Sequence, residues 1–319
     1  MERSDFLDEV RDVIRKSQLS ESTEKSYLDW VYRFMLFHSK KDPRQMGEDE
    51  IKEFLEDLQQ KRKVAPATQN QALNALLFLY KKVLHVSLDF ELKNTRLEKH
   101  LPLVLSREEV KRVLANLHGE FRLMASLIYG SGLRLSECMK LRIRDIDFDR
   151  KEIAVRSVKE GLERHTIIPE ILIPMLMRQV EKISLSHAEN LLEPEFSGTF
   201  ISDGTDEINK GVFKDHAWQY LFPARKLTTD PITGKLTQHY HHESYLQKAL
   251  KEAVIKAGIT IRASCSTLRH SFAVHLLEDG YDMHTIQKLL GHKNIRSTLI
   301  YTHIQHKNRL HVISPLDVL

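Results

Sequence analysis

Residues 106–169 read SREEVKRVLANLHGEFRLMASLIYGSGLRLSECMKLRIRDIDFDRKEIAVRSVKEGLERHTIIP. Ser106 and Glu109 stand at capping-box spacing: the serine oxygen accepts from a backbone N–H one turn on, the glutamate reaches back, and a helix starts there. Apolar residues continue at helical spacing through 121–141 and predict a second helix. From Lys151 the period drops to two. Apolar and polar residues alternate on both sides of Glu160-Gly161, the pattern of a β-hairpin. Helices followed at once by a small hairpin sheet make this part a mixed domain and the whole chain mainly α (α+β).

Upstream, the chain reads as helices with polar joints. In LSESTEKSYLDWVYRFMLFHSKK (19–41), Ser20 or Ser22 caps a helix whose Tyr27, Trp30, Val31, Phe34 and Phe37 recur at a spacing of three to four. A second helix runs from Gly47 to about Gln60 and ends in the basic run Lys61, Arg62, Lys63, which is either a solvated helix end or a phosphate contact. A third starts near Pro66 and Thr68, with Leu73, Leu76, Leu77 and Tyr80 on its apolar side. Residues 93–102 are polar and charged, end in Pro102 and lack periodicity, as a linker does. The expected division is a helical domain over 1–92, a linker over 93–102 and a larger domain over 103–319.

Downstream, residues 184–240 are irregular and carry Pro194, Gly198, Gly204, Gly211, Pro223, Pro231 and Gly234. Such a stretch inside a compact domain is more often functional than idle. Helical spacing resumes over Glu243 to Lys256 and persists through most of the C-terminal part, and no internal repeat is present.

At 319 residues the chain exceeds one small module, and 41% apolar with 29% charged residues is a globular composition. No apolar run approaches the ~20 residues that span a bilayer. The opening MERSDFLDEVRD has no apolar region of a secretory signal, so the cytoplasm is the expected compartment. Cys138 and Cys265 are too few for a disulfide framework or a cysteine zinc site, and Cys138 reads as a small core residue. A net charge of +4 and a pI near 8.8 permit a polyanionic partner. Residues 1–100 hold 18 Lys or Arg against 18 Asp or Glu, so the basic surplus lies in the remainder.

Four short segments follow one another: Gly130-Ser-Gly-Leu-Arg134-Leu-Ser-Glu137, Thr267-Leu-Arg269-His270-Ser-Phe, Leu289-Leu-Gly-His292 and Tyr301-Thr-His303. Alone, each is weak. Together they hold the residue types that breaking a phosphodiester without losing its energy requires. These are a nucleophile, cations around the non-bridging oxygens and an acid for the departing 5′-oxygen. A tyrosyl phosphodiester is stable enough to be held yet reactive toward a returning hydroxyl. Arginine grips phosphate in a bidentate fashion and does not deprotonate.

In order and spacing these segments resemble the tyrosine recombinases. The resemblance implies a SAM-like core-binding domain followed by a catalytic domain, closing round duplex DNA as a C-shaped clamp. It implies that Arg134 and Arg269 embrace the scissile phosphate and that Lys159, at the hairpin tip before Glu160-Gly161 and Arg164, protonates the 5′-oxygen. His292 then hydrogen-bonds the phosphate or a catalytic neighbour, and Tyr301 is the nucleophile. Neither metal nor nucleotide cofactor is implied. One position departs from the family pattern: His-x-Leu-Arg is here Ser266-Thr-Leu-Arg269. A serine hydroxyl donates a hydrogen bond but does not shuttle protons near neutral pH, so slowed cleavage with intact DNA binding is expected. His270, one turn further on, is expected to point away.

The long stretch sharpens the resemblance. Trp218-Gln-Tyr-Leu-Phe-Pro223-Ala, Thr229-Asp-Pro231-Ile-Thr-Gly234 and His239-Tyr-His-His-Glu-Ser-Tyr-Leu-Gln247 resemble the additional segment of integron integrases, here about 186–242, and the ending Ser314-Pro-Leu-Asp317 is similar to theirs. The implied substrates are gene-cassette sites, including folded single-stranded hairpins with extrahelical bases. Trp218, Pro231, His239 and Tyr240 offer flat faces for such bases, although Tyr240 stands where histidine is often found. Tyr220 and Phe222 suit a satellite core beneath a long loop. His239, His241 and His242 lack a Cys or acidic partner at zinc spacing, so no metal is expected. A homotetramer on DNA, joined by exchange of the segment about 312–319, completes the expectation. Its rivals are a Xer-like or phage-like enzyme on ordinary duplex sites and a catalytically impaired DNA-binding relative.

Overall fold

In the computed structural model, the described residues are 3–17, 19–86, 88, 101–156, 163–201, 211–230, 234–302 and 304. The chain divides into two compact units, Met1–His100 and Leu101–Leu319. Most of the region expected to be a linker, residues 93–100, lies outside the described residues, as do Lys159, Pro231 and the C-terminal segment 305–319.

The first unit is helical: α1 (Arg3–Lys16), α2 (Glu21–Phe37), α3 (Glu48–Gln60) and α4 (Pro66–Phe78), the last extended by one wide turn over Leu79–Val83. Ser20 caps α2, its hydroxyl accepting from the Thr23 N–H at 3.3 Å. Gly47 precedes α3 and donates its N–H to the Glu50 carboxylate at 2.8 Å. Trp30, Val31, Phe34, Leu76 and Tyr80 are buried in one core, as their spacing predicts, together with Phe54. The sequence reading starts the helices only at Ser20, and the structure adds α1, which seals this core with Phe6, Val10 and Ile14. The signal for it was present, since Phe6, Leu7, Val10, Val13 and Ile14 recur at helical spacing.

The second unit opens with α5 (Arg107–Ala115), capped by the expected Ser106–Glu109 box, and α6 (Gly119–Ser131). The single helix expected over 121–141 is broken into α6 and α7 (Leu135–Met139) by Gly132, whose φ of 63° is left-handed. Leu123, Met124, Leu127 and Ile128 of α6 fill the centre of this unit's core, and Cys138 is buried there too. The hairpin is present: β1 (Ile146–Asp147), β2 (Glu152–Arg156) and β3 (Glu163–Ile167) form an antiparallel sheet in that order, with Ile153 opposite Thr166 and Val155 opposite Arg164.

The stretch read as irregular is more ordered than its sequence suggests. α8 (Ile173–Leu191) runs well into it. Beyond it, β4 (Phe196–Ile201), β5 (Gly211–Phe213), β6 (Thr228–Thr229) and β7 (Leu236–Gln238) form a second sheet in the order β5-β4-β7-β6, with β4 and β7 parallel. Strands of two or three residues show no alternation to read, and a parallel pair is joined from far apart in sequence. Helices α9 (Glu243–Lys256), α10 (Cys265–Glu278), α11 (Met283–Leu290) and α12 (Arg296–Leu299) follow. Phe272, Val274, Ile286, Leu290 and Tyr301 form a second buried cluster. No helix among the described residues is long and apolar enough to cross a membrane.

Gly132 is fixed twice over. A Cβ there meets the Phe272 ring at 2.5 Å, on a backbone that L-residues disfavour. Gly132→Ala is therefore expected to lower the unfolding free energy by about 2–4 kcal/mol, combining left-handed strain with overpacking. Gly119→Ala, at φ 54° with nothing within 4 Å of its Cβ, carries the strain alone. Denaturant midpoints at unchanged slope separate the two contributions, and equal losses at both sites contradict the packing account.

Candidate active site

Glu137, on the first turn of α7, gathers three arginines from three separate elements. Arg134, the residue before α7, donates its backbone N–H and its guanidinium to the carboxylate, both at 2.7 Å. Arg164 of β3 grips the same carboxylate in a bidentate fashion at 3.0 and 2.9 Å, and its Nε donates to the Leu289 carbonyl at 3.0 Å. Arg269 of α10 lies 3.6 Å from Glu137 Oε2. Burial alone raises the Glu137 carboxyl. The hydrogen bonds and charge of Arg164, the Arg134 N–H and the charge of Arg269 outweigh burial and hold it below its ordinary value.

Arg269 is almost fully buried, and its guanidinium donates to the Gly132 carbonyl at 2.5 Å and the Leu290 carbonyl at 2.6 Å. Both acceptors sit at helix C-termini, the ends of α6 and α11, where carbonyls lack intrahelical partners and the helix dipole is negative. Burial and then Arg134 push Arg269 down from the usual arginine value, with Glu137 opposing. A guanidinium remains a cation at neutral pH all the same. Gly291, with φ of 64°, ends α11 so closely against Arg164 that a Cβ there meets the Arg164 side chain at 2.5 Å.

His292 follows directly. Its Nδ1 is 2.9 Å from the Thr298 hydroxyl, and its ring lies 6.4 Å from that of Tyr301 at an interplanar angle of 19°. Burial and the charges of Arg269, Arg134 and Arg164 lower its pKa to about 4, so it is neutral at physiological pH. Tyr301 is only 2% exposed, and burial raises its phenol against the opposing pull of Arg269 and Arg134. Its hydroxyl is 2.9 Å from Nδ1 of His270.

Four of the residues named from the sequence, Arg134, Arg269, His292 and Tyr301, thus come together around one polar cluster. Ser266 is exposed on the first turn of α10. His270 corrects the expectation that it points away: residues four apart share a helix face, so it stands on the Ser266 side and reaches Tyr301. Glu137 and Arg164 lay within the quoted motifs without a role. The Arg134–Glu137 spacing of three, which matches a capping box, was the available signal for Glu137.

Of the residues named for DNA contact, Pro231 lies outside the described residues. Lys61 and Arg62 are exposed and both pair with Asp57, Arg62 at 2.9 Å. Lys63 is exposed in a left-handed turn, φ 48°. Trp218 is half-buried, stacked on Phe213 at 4.4 Å, with the guanidinium carbons of Arg144 and Arg142 4.2 and 5.1 Å from its ring centre. His239 packs on Phe200 at 5.5 Å, and Tyr240 meets Tyr220 edge-on beneath Lys140. Tyr220 and Phe222 are buried, Phe222 within the main core of the second unit and not in a satellite beneath a loop. Among the described residues no group of His, Cys, Asp and Glu is placed to hold a metal ion.

Residues 104–308 match the model of the phage integrase family, and residues 6–89 match that of the phage integrase N-terminal SAM-like domain. The chain is 40% identical over 315 residues to an "Integrase/recombinase" of Escherichia coli, covering 98% of this chain and 93% of the relative. It is 32% identical over 294 residues to "Tyrosine recombinase XerD" of Caulobacter vibrioides, covering 88% and 85%. The fold is similar to that of the Tn1549 transposon integrase solved with transposon right end DNA (TM-score 0.64, 16% identity, 94% of this chain and 96% of that one). It is also similar to XerH site-specific recombinase bound to difH substrate in a pre-cleavage complex (TM-score 0.62, 20% identity, 95% and 83%). The chain belongs to the phage integrase family and is a tyrosine site-specific recombinase, a DNA strand-transfer enzyme.

Glu137→Gln removes the negative charge that these arginines share, and is expected to cost on the order of 3 kcal/mol at neutral pH. Because the folded pKa lies below the unfolded one, Glu137 contributes stability above the ordinary value of 4.5 and loses it as pH falls through the folded value. Unfolding free energies measured against pH should therefore fall less steeply on the acid side for Glu137→Gln than for the parent. Parallel acid limbs contradict this assignment.

Proposed function

We propose that the enzyme cleaves and rejoins DNA through a 3′-phosphotyrosyl link to Tyr301 and that it is an integron-type integrase. On this reading it recombines gene-cassette sites, among them folded single strands with extrahelical bases. The observation that carries the chemical part is the convergence of Arg134, Arg269, His292 and Tyr301 from separate segments onto one site. Arg134, half-exposed, and Arg269, anchored by two helix ends, stabilise the charge on the phosphate. His292, neutral in the free protein, hydrogen-bonds the phosphate. Lys159, outside the described residues, protonates the departing 5′-oxygen. A 5′-hydroxyl from the partner strand then reverses the step, so strands exchange pairwise through a Holliday junction. Four protomers act on two sites, each giving its segment about 312–319 to a neighbour.

Support for the integron type comes from the second sheet and what it carries. The segment from β4 to β7 holds Trp218, stacked and flanked by Arg142 and Arg144, and leads into His239 and Tyr240 beside Lys140. Flat aromatic groups beside cations suit unpaired bases, because every base has a π-face and every nucleotide a phosphate.

Two measurements test these readings. With a nicked suicide substrate the parent chain should form a covalent adduct and Tyr301→Phe none, while Ser266→His should raise the cleavage rate about 10-fold or more by supplying a proton-transfer group. An undiminished adduct in Tyr301→Phe contradicts the chemical reading. In binding assays a folded single-stranded hairpin with extrahelical bases should be preferred to a perfectly matched duplex. Trp218→Ala should weaken hairpin binding about 5–100-fold, the range of one base stack, and leave duplex binding nearly unchanged. A strong preference for perfect duplex overturns the integron reading in favour of a Xer-like enzyme.

A further inference from the structure

The Tyr301 hydroxyl is held by one side chain to which the sequence motifs gave no task. Nδ1 of His270 lies 2.9 Å from it, across 31 residues of chain, in a part-buried setting. The other basic groups nearby are committed elsewhere. The Glu137 carboxylate is occupied by Arg134 and Arg164 with Arg269 beside it. His292 uses its Nδ1 on Thr298, and its ring lies nearly parallel to the Tyr301 ring. Ser266, at the position where the family pattern has a histidine, is one turn from His270 on the same helix face and has no basic nitrogen.

We propose that His270 is the general base for Tyr301, performing from the next turn of α10, less efficiently than a histidine at position 266 would, the proton-transfer task that Ser266 cannot perform. The inference rests on Tyr301 being the nucleophile. In cleavage the phenolic O–H breaks as an N–H forms at His270 Nδ1. The Tyr301 Oη–phosphorus bond forms as the phosphorus–O5′ bond breaks, and the electron pair leaves on O5′, which takes a proton from the Lys159 ammonium. In joining, the incoming 5′-hydroxyl gives its proton to the Lys159 amine and attacks phosphorus, and the expelled phenolate recovers its proton from His270. The protonation states suit this cycle. Burial and then Arg269 hold His270 below its ordinary value, so it starts as a neutral acceptor, and burial raises the Tyr301 phenol, so it does not ionise unaided.

The test is single-turnover cleavage by the full chain on two nicked substrates, one with the natural 5′-oxygen and one with sulfur in its place, a leaving group that needs no acid. His270→Gln is expected to slow cleavage about 100-fold or more on both, whereas Lys159→Ala slows only the oxygen substrate. A difluorotyrosine installed in place of Tyr301, which ionises more readily, should restore most of the rate to His270→Gln. That recovery has no reason to occur if His270 merely supports the fold. Parent-like rates in His270→Gln overturn the proposal. So does rescue by sulfur, which places His270 on the leaving group, and so does the absence of any recovery with the fluorinated tyrosine. If the parent chain forms no Tyr301 adduct on either substrate, the nucleophile assignment falls first and this proposal with it.

Discussion

A single carboxylate holds the candidate site together. Three guanidinium groups converge where α7, β3 and α10 meet, and like charges about 6 Å apart repel by about 3 kcal/mol at an effective dielectric near 20. Glu137 offsets that repulsion with hydrogen bonds to Arg134 and Arg164 and a close charge beside Arg269. Its place on the first turn of a very short helix means that the geometry of α7 sets where the arginines stand. The break at Gly132 that separates α7 from α6 is therefore a requirement of the site as well as of the fold.

The second anchor is the pair of helix ends under Arg269. Burying a cation costs several kcal/mol unless its donors are met. Here they are met by backbone carbonyls of Gly132 and Leu290, groups left over wherever a helix stops. Both helices end at a left-handed glycine, Gly132 and Gly291. The glycines in the Gly-Ser-Gly-Leu-Arg and Leu-Leu-Gly-His segments thus have a structural task. They turn the chain so that the last carbonyls face Arg269, and Arg134, two residues beyond Gly132, and His292, directly after Gly291, enter the same space.

Much of this was legible in advance because it is local. Caps at Ser20, Gly47 and Ser106 and the start of α4 at Pro66 follow from residues within one turn of one another, and the hairpin from β2 to β3 from alternation within one short segment. The four motif residues were found because their order and spacing are informative even when their contacts are not. What escaped was mostly non-local or geometric. The second sheet pairs β4 with β7 from far apart in sequence, and the other three strands have only two or three residues each. Helix α1 escaped although it was local: Phe6, Leu7, Val10, Val13 and Ile14 stand at helical spacing. His270 was misjudged through helix geometry, since a step of four returns nearly to the starting face.

Burial first, and then the positive charge of the cluster, explain why two histidines sit beside three arginines without being protonated. Arg134, Arg164 and Arg269 against Glu137 leave an excess of two positive charges, which adds to burial in pushing His292 down, while Arg269 adds to burial at His270. A phosphodiester brings one negative charge into that excess. Its arrival partly relieves the penalty on a protonated imidazole at the moment when the phenolic proton must leave Tyr301. On the proposed mechanism, the arginines that bind the phosphate and the imidazole that accepts the proton are coupled through one field. The site would then be least tolerant of imidazolium when empty and most tolerant when substrate is in place, which would tie ionisation of the nucleophile to the presence of the bond it attacks.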